Sequence, residues 1–177
     1  MIYLMRHGAD DPDRLGGWSP YGLTDIGRQQ ASDAAERITN VGIAAIYSSD
    51  LPRAKETAEI VATRLRLPVT FLPAFRETNN GLLAGMLKSE AKFLYPGLYW
   101  NALEWTQRYP NGESPELFFE RISQAWKTFK QENAEKTVLL VTHGGVINII
   151  MCIEKQSPYT NRESIYKVAN AEIISIE

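Results

Sequence analysis

Met5-Arg6-His7-Gly8 closes a short apolar run, residues 1–5, at the start of the chain. The second of only two histidines, His143, also follows an apolar, strand-like run and precedes a glycine. A run of about four to eight β-prone residues that ends at a sharp polar break is typical of a buried strand leaving the core. We therefore expect each histidine to lie at the carboxyl end of a strand.

Composition limits the class of protein. The 177 residues are 44% hydrophobic and 23% charged, which suits one ordinary globular domain. A formal net charge of −2 gives no support to a nucleic-acid or acidic-membrane partner, because such surfaces attract a basic excess. Cys152 is the single cysteine, and no basic and apolar leader or membrane-spanning run is evident. We predict a cytoplasmic protein with a small partner, and leave its oligomeric state open.

Apolar periodicity predicts strands that alternate with helices. Strands are predicted over residues 1–5, 43–47, 69–72 and 137–142, with two closing strands over 164–168 and 172–176. Helices are predicted to begin after Thr24, after the capping residues 48–50, at Pro115 and at Gly144. The run at 137–142 is the most continuous, which predicts a central strand covered on both faces. The alternation predicts an α/β fold, with a mostly parallel central sheet and helices on both faces.

Residues 78–113 break this pattern with glycines, prolines and six aromatic residues. We interpret them as a short cap inserted into a single domain that spans residues 1–177. The positive and negative residues of the segment cancel, so its charge does not indicate a multiply phosphorylated substrate. Its aromatic residues permit an apolar or aromatic leaving group without requiring one, and lid packing is the simpler explanation for them.

The polar residues that follow the predicted strands converge on one edge of the sheet. Arg6 and His7 end the first strand, Arg53 follows the second, Glu77 follows the third, and His143 follows the run at 137–142. Ligands bind outside the carboxyl ends of parallel strands. Guanidinium forks match planar or tetrahedral anions, so we expect a phosphate site.

The chemistry of these residues suits phosphoryl transfer. A neutral imidazole held in one tautomer can attack phosphorus and form a phosphohistidine. One of His7 and His143 would attack, and the other would stabilise charge on the transferring oxygens. Glu77 is placed to protonate the leaving alkoxide. Taken singly, these residues have simpler interpretations: each histidine as a hydrogen-bonded core residue, and each arginine as a surface ion-pair partner.

Six ordered blocks of the chain resemble the histidine phosphatase superfamily, the phosphoglycerate mutase-like proteins. The blocks are Arg6-His7-Gly8, Leu23-Thr24 with Gly27 and Gln30-Ala31, Tyr47 to Leu51 with Arg53-Ala54 and Glu56-Thr57-Ala58, Arg76-Glu77, Gly112-Glu113-Ser114, and Val141 to Val146. The short Arg-His-Gly motif alone is weak, whereas six blocks in the same order are specific.

The resemblance implies a role for each matching position. His7 matches the phosphorylated nucleophile and Glu77 the general acid, while Arg6, Arg53, His143 and the backbone of Gly144 match phosphate ligands. Water would then hydrolyse the phosphohistidine with Glu77 as base. The resemblance implies no metal and no other cofactor.

The loop after Gly8 departs from the family pattern. Many relatives have Glu-Thr there and a phosphate-binding asparagine a few residues on, whereas this chain has Ala9, Asp10, Asp11, Pro12 and Asp13. A carboxylate at Asp13 cannot donate a hydrogen bond to phosphate. We interpret the aspartates as a solvated acidic loop, in preference to a site for a cationic part of the substrate.

Three classes of function remain open at this point. The first is a metal-independent phosphatase, with phosphoglycerate mutase-type transfer as its alternative. The second is a module that binds phosphorylated ligands without turnover. The third is a His-His-Glu zinc hydrolase, which two arginines disfavour because they would repel the cation.

Overall fold

The computed structural model describes residues 1–176, and within them five strands form one sheet. The strands are β1 (Ile2–Arg6), β2 (Ala45–Ser48), β3 (Val69–Phe71), β4 (Val138–Thr142) and β5 (Ile173–Ile176). Their order is β3-β2-β4-β1-β5, in which only β5 runs antiparallel to its neighbour. The predicted α/β fold with a mostly parallel sheet is confirmed. Glu177, the last residue of the predicted domain, lies outside the described residues, and the domain boundaries stay a prediction.

Helices cover both faces of the sheet, as predicted. The helices are α1 (Asp25–Arg37), α2 (Pro52–Leu65), α3 (Lys88–Leu94), α4 (Pro115–Glu132) and α5 (Gly144–Glu154). Two hydrophobic cores result, one between the sheet and α1 and α2, the other between the sheet and α4 and α5. Strand β4 lies between β1 and β2 and is buried along its whole length, so it contributes alternate side chains to the two cores.

Two helix starts follow the predicted capping chemistry and one does not. Thr24 accepts from Gly27 N–H and Ser114 accepts from Leu117 N–H, as N-cap side chains do. Helix α2 instead begins after Leu51, which offers no side-chain cap, so the prediction that residues 48–50 cap this helix was wrong. Pro52 at the first helical position needs no N–H partner.

The first closing strand, residues 164–168, was also predicted wrongly. Its backbone groups bond to side chains: Tyr166 N–H donates to Asn148 Oδ1 at 2.9 Å, and Val168 C=O accepts from Arg6 Nη1 at 2.7 Å. These bonds replace the ladder that a strand would need. The second closing strand exists as β5.

The segment 78–113 contains α3 and two short 3₁₀ turns, Gly81–Leu83 and Trp100–Ala102. It has a small core of its own, formed by Leu83, Ala91, Leu103 and Tyr109. Within residues 1–176, no helix combines the length and apolarity that crossing a bilayer requires. The cytoplasmic location stays a prediction.

Candidate active site

His7 emerges from the end of β1 into a buried position, with 4% of the residue exposed. Its Nδ1 lies 2.7 Å from the carbonyl oxygen of Gly8, which can only accept, so Nδ1 carries the ring proton. Arg53 Nε donates to the opposite nitrogen, Nε2, at 3.2 Å. Nε2 is therefore unprotonated, and its lone pair faces the arginine. A nucleophilic imidazole needs this tautomer, because the unprotonated nitrogen is the one that attacks.

His143 follows β4 directly and is fully buried. The two imidazole rings lie 5.1 Å apart between centroids, so the sheet brings together residues that are distant in sequence. His143 Nε2 lies 2.8 Å from Ser49 Oγ, and that oxygen also accepts from Leu51 N–H at 3.3 Å. Among the hydrogen bonds of the described residues, Nε2 is the only acceptor for the Ser49 hydroxyl proton, so we infer that the hydroxyl donates to Nε2 and that the proton of His143 sits on Nδ1.

Arg6 and Arg53 enter the site from two elements. Arg6 ends β1, and its Nη1 donates to Val168 C=O. Arg53 lies in the first turn of α2 with 1% exposure, and its Nη2 donates to Gly17 C=O at 2.8 Å. Each guanidinium is thus anchored through one terminal nitrogen.

Three buried side-chain nitrogens in the described part of the chain have no hydrogen-bond partner. They are Arg6 Nε, Arg53 Nη1 and His143 Nδ1. All three belong to the residues that the sequence assigned to a phosphate site. Buried donors without partners are costly and rare in folded proteins, and three in one site indicate a place built for an anion.

Gly144 is the first residue of α5, where backbone N–H groups have no partner within the helix. A Cβ at this position would lie 3.6 Å from Arg6 Nε, so the helix start is adjacent to one of the unpartnered donors. The positive end of the helix dipole therefore adds to the charge of the arginines.

Glu77 reaches the site from the segment after β3. Its Oε2 accepts from Gly145 N–H at 3.1 Å and its Oε1 from Thr78 N–H at 3.2 Å. A Cβ on Gly145 would lie only 2.5 Å from Oε1, so a larger residue there would displace the carboxylate from this position. Trp18 Nε1 and Arg121 Nη2 both donate to the Glu77 carbonyl, at 2.8 and 3.1 Å. The backbone of Glu77 is thereby held from two sides.

The structure separates the three aspartates of the loop after Gly8. Asp13 is exposed and Asp11 pairs with Arg14 at 3.2 Å, which fits the predicted solvated loop. Asp10 does not fit that prediction, because its Oδ2 lies 3.5 Å from Arg53 Nε. Its carboxylate faces the buried guanidinium, and the charge of Arg53 draws it inward.

Sequence reasoning missed three residues that support the site. Ser49 was interpreted as a helix cap, whereas it contacts His143. Thr57 accepts from Gly8 N–H at 3.0 Å and donates to Arg53 C=O at 2.7 Å, so it joins the His7 loop to α2. Asn170 donates to His7 C=O at 3.2 Å. Ser49 and Thr57 left a signal in the sequence, as members of the blocks at residues 47–51 and 56–58, whereas Asn170 left none.

The described residues contain no group of three His, Cys, Asp or Glu side chains arranged to hold a metal ion. A His-His-Glu zinc site would need the two histidines and Glu77 to converge as ligands. In the structure Glu77 instead bonds to backbone N–H groups at the start of α5.

Burial lowers the pKa of both histidines well below the ordinary 6.5, and Arg53 lowers it further in each case. At neutral pH both rings are neutral in the folded chain and mostly neutral in the unfolded chain. Below pH about 6.5 the unfolded chain binds protons at these positions and the folded chain does not, so stability falls with falling pH.

The expected loss approaches about 2.7 kcal/mol per pH unit for the two histidines together, between pH about 6 and the lowered pKa values. Urea unfolding at pH 7, 6 and 5 measures it. The variant His7→Gln should lose about half of the pH dependence, since one titrating group is removed. A free energy of unfolding that stays constant or rises as the pH falls over this range would contradict the assignment of neutral, buried rings.

The chain is similar to known proteins in sequence and in fold. Residues 2–177 match the family model described as histidine phosphatase superfamily (branch 1). A probable phosphoglycerate mutase from Salmonella arizonae is 35% identical over 148 residues, which cover 81% of this chain and 69% of the relative.

Two solved structures have the same fold. The YhfR protein of Bacillus stearothermophilus superimposes with a TM-score of 0.86 at 30% identity, over 99% of this chain and 91% of the other. A mycobacterial glucosyl-3-phosphoglycerate phosphatase in complex with VO3 gives a TM-score of 0.82 at 28% identity, over 97% and 88%. Because the family model matches residues 2–177, which are nearly the whole chain, the chain belongs to the histidine phosphatase superfamily, branch 1, and is a phosphatase enzyme.

Proposed function

We propose that this chain is a metal-independent phosphatase that hydrolyses small phosphomonoesters through a phosphohistidine at His7. The observation that carries the proposal is the set of three unpartnered buried donors, Arg6 Nε, Arg53 Nη1 and His143 Nδ1, beside a histidine whose Nε2 is unprotonated. A phosphoryl group has oxygens that satisfy all three donors and a phosphorus atom that accepts the lone pair.

In the first half-reaction, His7 Nε2 attacks phosphorus, the new P–N bond forms and the bond to the leaving oxygen breaks. Arg6, Arg53, His143 and the Gly144 N–H group stabilise the charge on the phosphoryl oxygens. Protonated Glu77 gives its proton to the leaving alkoxide, so a neutral alcohol departs. Nδ1 keeps its proton throughout and donates a hydrogen bond to the Gly8 carbonyl, which holds the ring in place.

In the second half-reaction, water attacks the phosphorus of phospho-His7 from the side that the alcohol has left. Ionised Glu77 takes a proton from this water as the P–N bond breaks. Inorganic phosphate then leaves, His7 regains its free Nε2, and Glu77 is again protonated. No metal takes part in either step.

We further propose that residues 78–113 cap the site within a single domain. The segment follows Glu77 directly and contributes residues to the wall of the cavity in which Glu77 lies. A short cap of this kind leaves room for water to reach phospho-His7, which favours hydrolysis over return of the phosphoryl group.

Mutase-type transfer is the second candidate, favoured by the mutase name of the Salmonella relative. A mutase of this chemistry must be primed with a bisphosphorylated sugar acid and must convert one monophosphoglycerate isomer into the other. Measuring isomerisation with and without that primer separates the candidates. We expect release of inorganic phosphate without any primer requirement.

A phosphomonoester panel with purified protein in chelator tests the proposed function. Phosphate release at the same rate with and without chelator is expected. Loss of activity in chelator would support a zinc hydrolase, and binding without release on every ester would support a module that only binds phosphorylated ligands.

The variant Glu77→Gln is expected to lower kcat/KM about 10²- to 10⁴-fold for phosphate esters of alkyl alcohols, which must be protonated as they leave. Glutamine keeps an oxygen for the Gly145 N–H group but has no acidic proton. For 4-nitrophenyl phosphate the loss should be much smaller, because that leaving group departs as a stable anion. Steady-state kinetics on both esters measure the difference.

Glu90→Gln is the matched control, since Glu90 is exposed on α3 and does not line the cavity in which Glu77 lies. It should leave both rates within about twofold of wild type. Equal losses for the two esters in Glu77→Gln would argue against a general acid at this position.

A further inference from the structure

A large cavity adjoins the proposed phosphate site. Its volume is about 760 Å³, and both Glu77 and Gly145 contribute to its lining. Sites of about 300 to 1,000 Å³ enclose drug-sized ligands. An alcohol that leaves phosphorus beside Glu77 would therefore enter this cavity, and a three-carbon sugar acid would leave most of it filled with water.

The exposed lining is mostly carbon, and aromatic rings form much of the wall. Trp100 stacks on Tyr109 with centroids 6.3 Å apart and meets Phe118 edge-on at 5.7 Å. Tyr159 also lines the cavity and stacks on Phe119 at 5.2 Å. Such surfaces bind flat rings by offset stacking or edge contacts.

This wall is preformed. Asn161 Nδ2 donates to the carbonyl groups of Trp100 and Leu103, at 2.8 and 3.0 Å, and so holds the turn that carries the Trp100 ring. A ligand that enters a preformed apolar pocket does not have to order the wall, which favours its affinity.

The charged residues that line the cavity do not indicate that it binds a second anionic group of the substrate. The charged residues of its lining are two lysines, Lys88 and Lys92, and two glutamates, Glu77 and Glu163. Lys88 is also engaged, because its Nζ donates to Pro12 C=O at 2.6 Å. The charges balance, so apolar area decides what binds best.

We propose that the preferred substrates are phosphomonoesters of bulky alcohols that carry an aromatic ring, and that this cavity is the leaving-group subsite which selects them. The inference rests on the proposed phosphatase function and adds a substrate class to it. The enzyme would discriminate between esters through the aromatic ring, because burying the ring in the cavity removes it from water. The phosphoryl group is bound in the same way for every ester and so does not discriminate.

Three esters of primary alcohols test the proposal: 3-phenylpropyl phosphate, propyl phosphate and 3-phosphoglycerate. The leaving oxygens are of the same kind, so the difference reports the rest of the alcohol. We expect kcat/KM for the phenylpropyl ester to exceed that for the propyl ester about 10- to 100-fold. Equal values for those two, or a preference for 3-phosphoglycerate, would overturn the substrate class while leaving the phosphatase function intact. Failure to hydrolyse any ester would instead overturn the function itself.

A pair of tryptophan variants locates the effect. Ser164 is exposed and lines the cavity, and Ser164→Trp should lower the phenylpropyl-to-propyl ratio at least about fivefold by narrowing the cavity. Ser89 is also exposed, on α3, but does not contribute to the lining, so Ser89→Trp should keep the wild-type ratio. A ratio that is unchanged or higher in Ser164→Trp would contradict the assignment of this cavity.

Discussion

Replacing His7 with alanine is expected to lower kcat/KM for every phosphomonoester at least about 10⁴-fold. The reason is that the proposed mechanism passes through a bond to His7 Nε2, and no neighbouring side chain can take over. His143 cannot, because its Nε2 lies against Ser49 Oγ and its Nδ1 carries the ring proton. Steady-state phosphate release measures the loss.

The folded state of His7→Ala must be checked, since His7 is buried and its Nδ1 bonds to Gly8. Circular dichroism and a urea titration serve for this. The imidazole that is removed is neutral, and Asp10 Oδ2 still lies 3.5 Å from Arg53 Nε, so we expect the variant to stay folded at neutral pH. A folded variant that turns over within tenfold of wild type would rule out His7 as nucleophile.

Replacing Arg53 with lysine is expected to lower kcat/KM about 10³-fold, although the positive charge is kept. Arg53 has a different role for each of its three nitrogens: Nε donates to His7, Nη2 donates to Gly17 C=O, and Nη1, which has no partner among the described residues, is the donor that we propose for phosphate. A single ammonium group cannot hold the imidazole and a phosphoryl oxygen together in that geometry. The loss should appear mainly in kcat, because the interactions strengthen as charge develops in the transition state.

Arg64→Lys is the matched control on the same helix. Arg64 is exposed and pairs with Glu36 at 2.6 Å, so its replacement should change the rate less than about twofold. If Arg53→Lys and Arg64→Lys behaved alike, Arg53 would have only a structural role.

The placement of the site could be predicted from the sequence because it follows from strand ends. The apolar runs before His7 and His143 become β1 and β4, which are neighbours in the sheet. The two histidines therefore meet, and Arg53 follows the next strand along the edge. Fold class and site position both depend on periodicity, which is a local property of the chain.

The remaining features depend on contacts that periodicity does not encode. Ser49 acts on a residue 94 positions away, so its short-range appearance as a cap was misleading. Residues 164–168 have a strand-like composition, but Asn148 and Arg6 take up their backbone groups. Of the three aspartates after Gly8, Asp10 is the one that faces a buried guanidinium, and a run of like charges cannot reveal which member turns inward.

The proposed substrate class also depends on contacts that periodicity does not encode. The aromatic residues of the segment 78–113 are visible in the sequence, yet only the fold shows that Tyr99, Trp100 and Tyr109 line one cavity with Glu77. Phe93 from the same segment is 83% exposed and takes no part in that lining. Lid packing and ligand binding are thus divided among neighbouring aromatic residues.

The central claim, a covalent phosphohistidine at His7, is tested most directly by rapid quench with ³²P-labelled substrate. The quenched protein is digested and the labelled peptide is identified by mass spectrometry. We predict a phosphoryl group that is stable in base and labile in acid, on the peptide that contains His7, and that forms and decays fast enough to account for turnover. Turnover without any labelled protein, or a label on a peptide that lacks His7, would contradict the account.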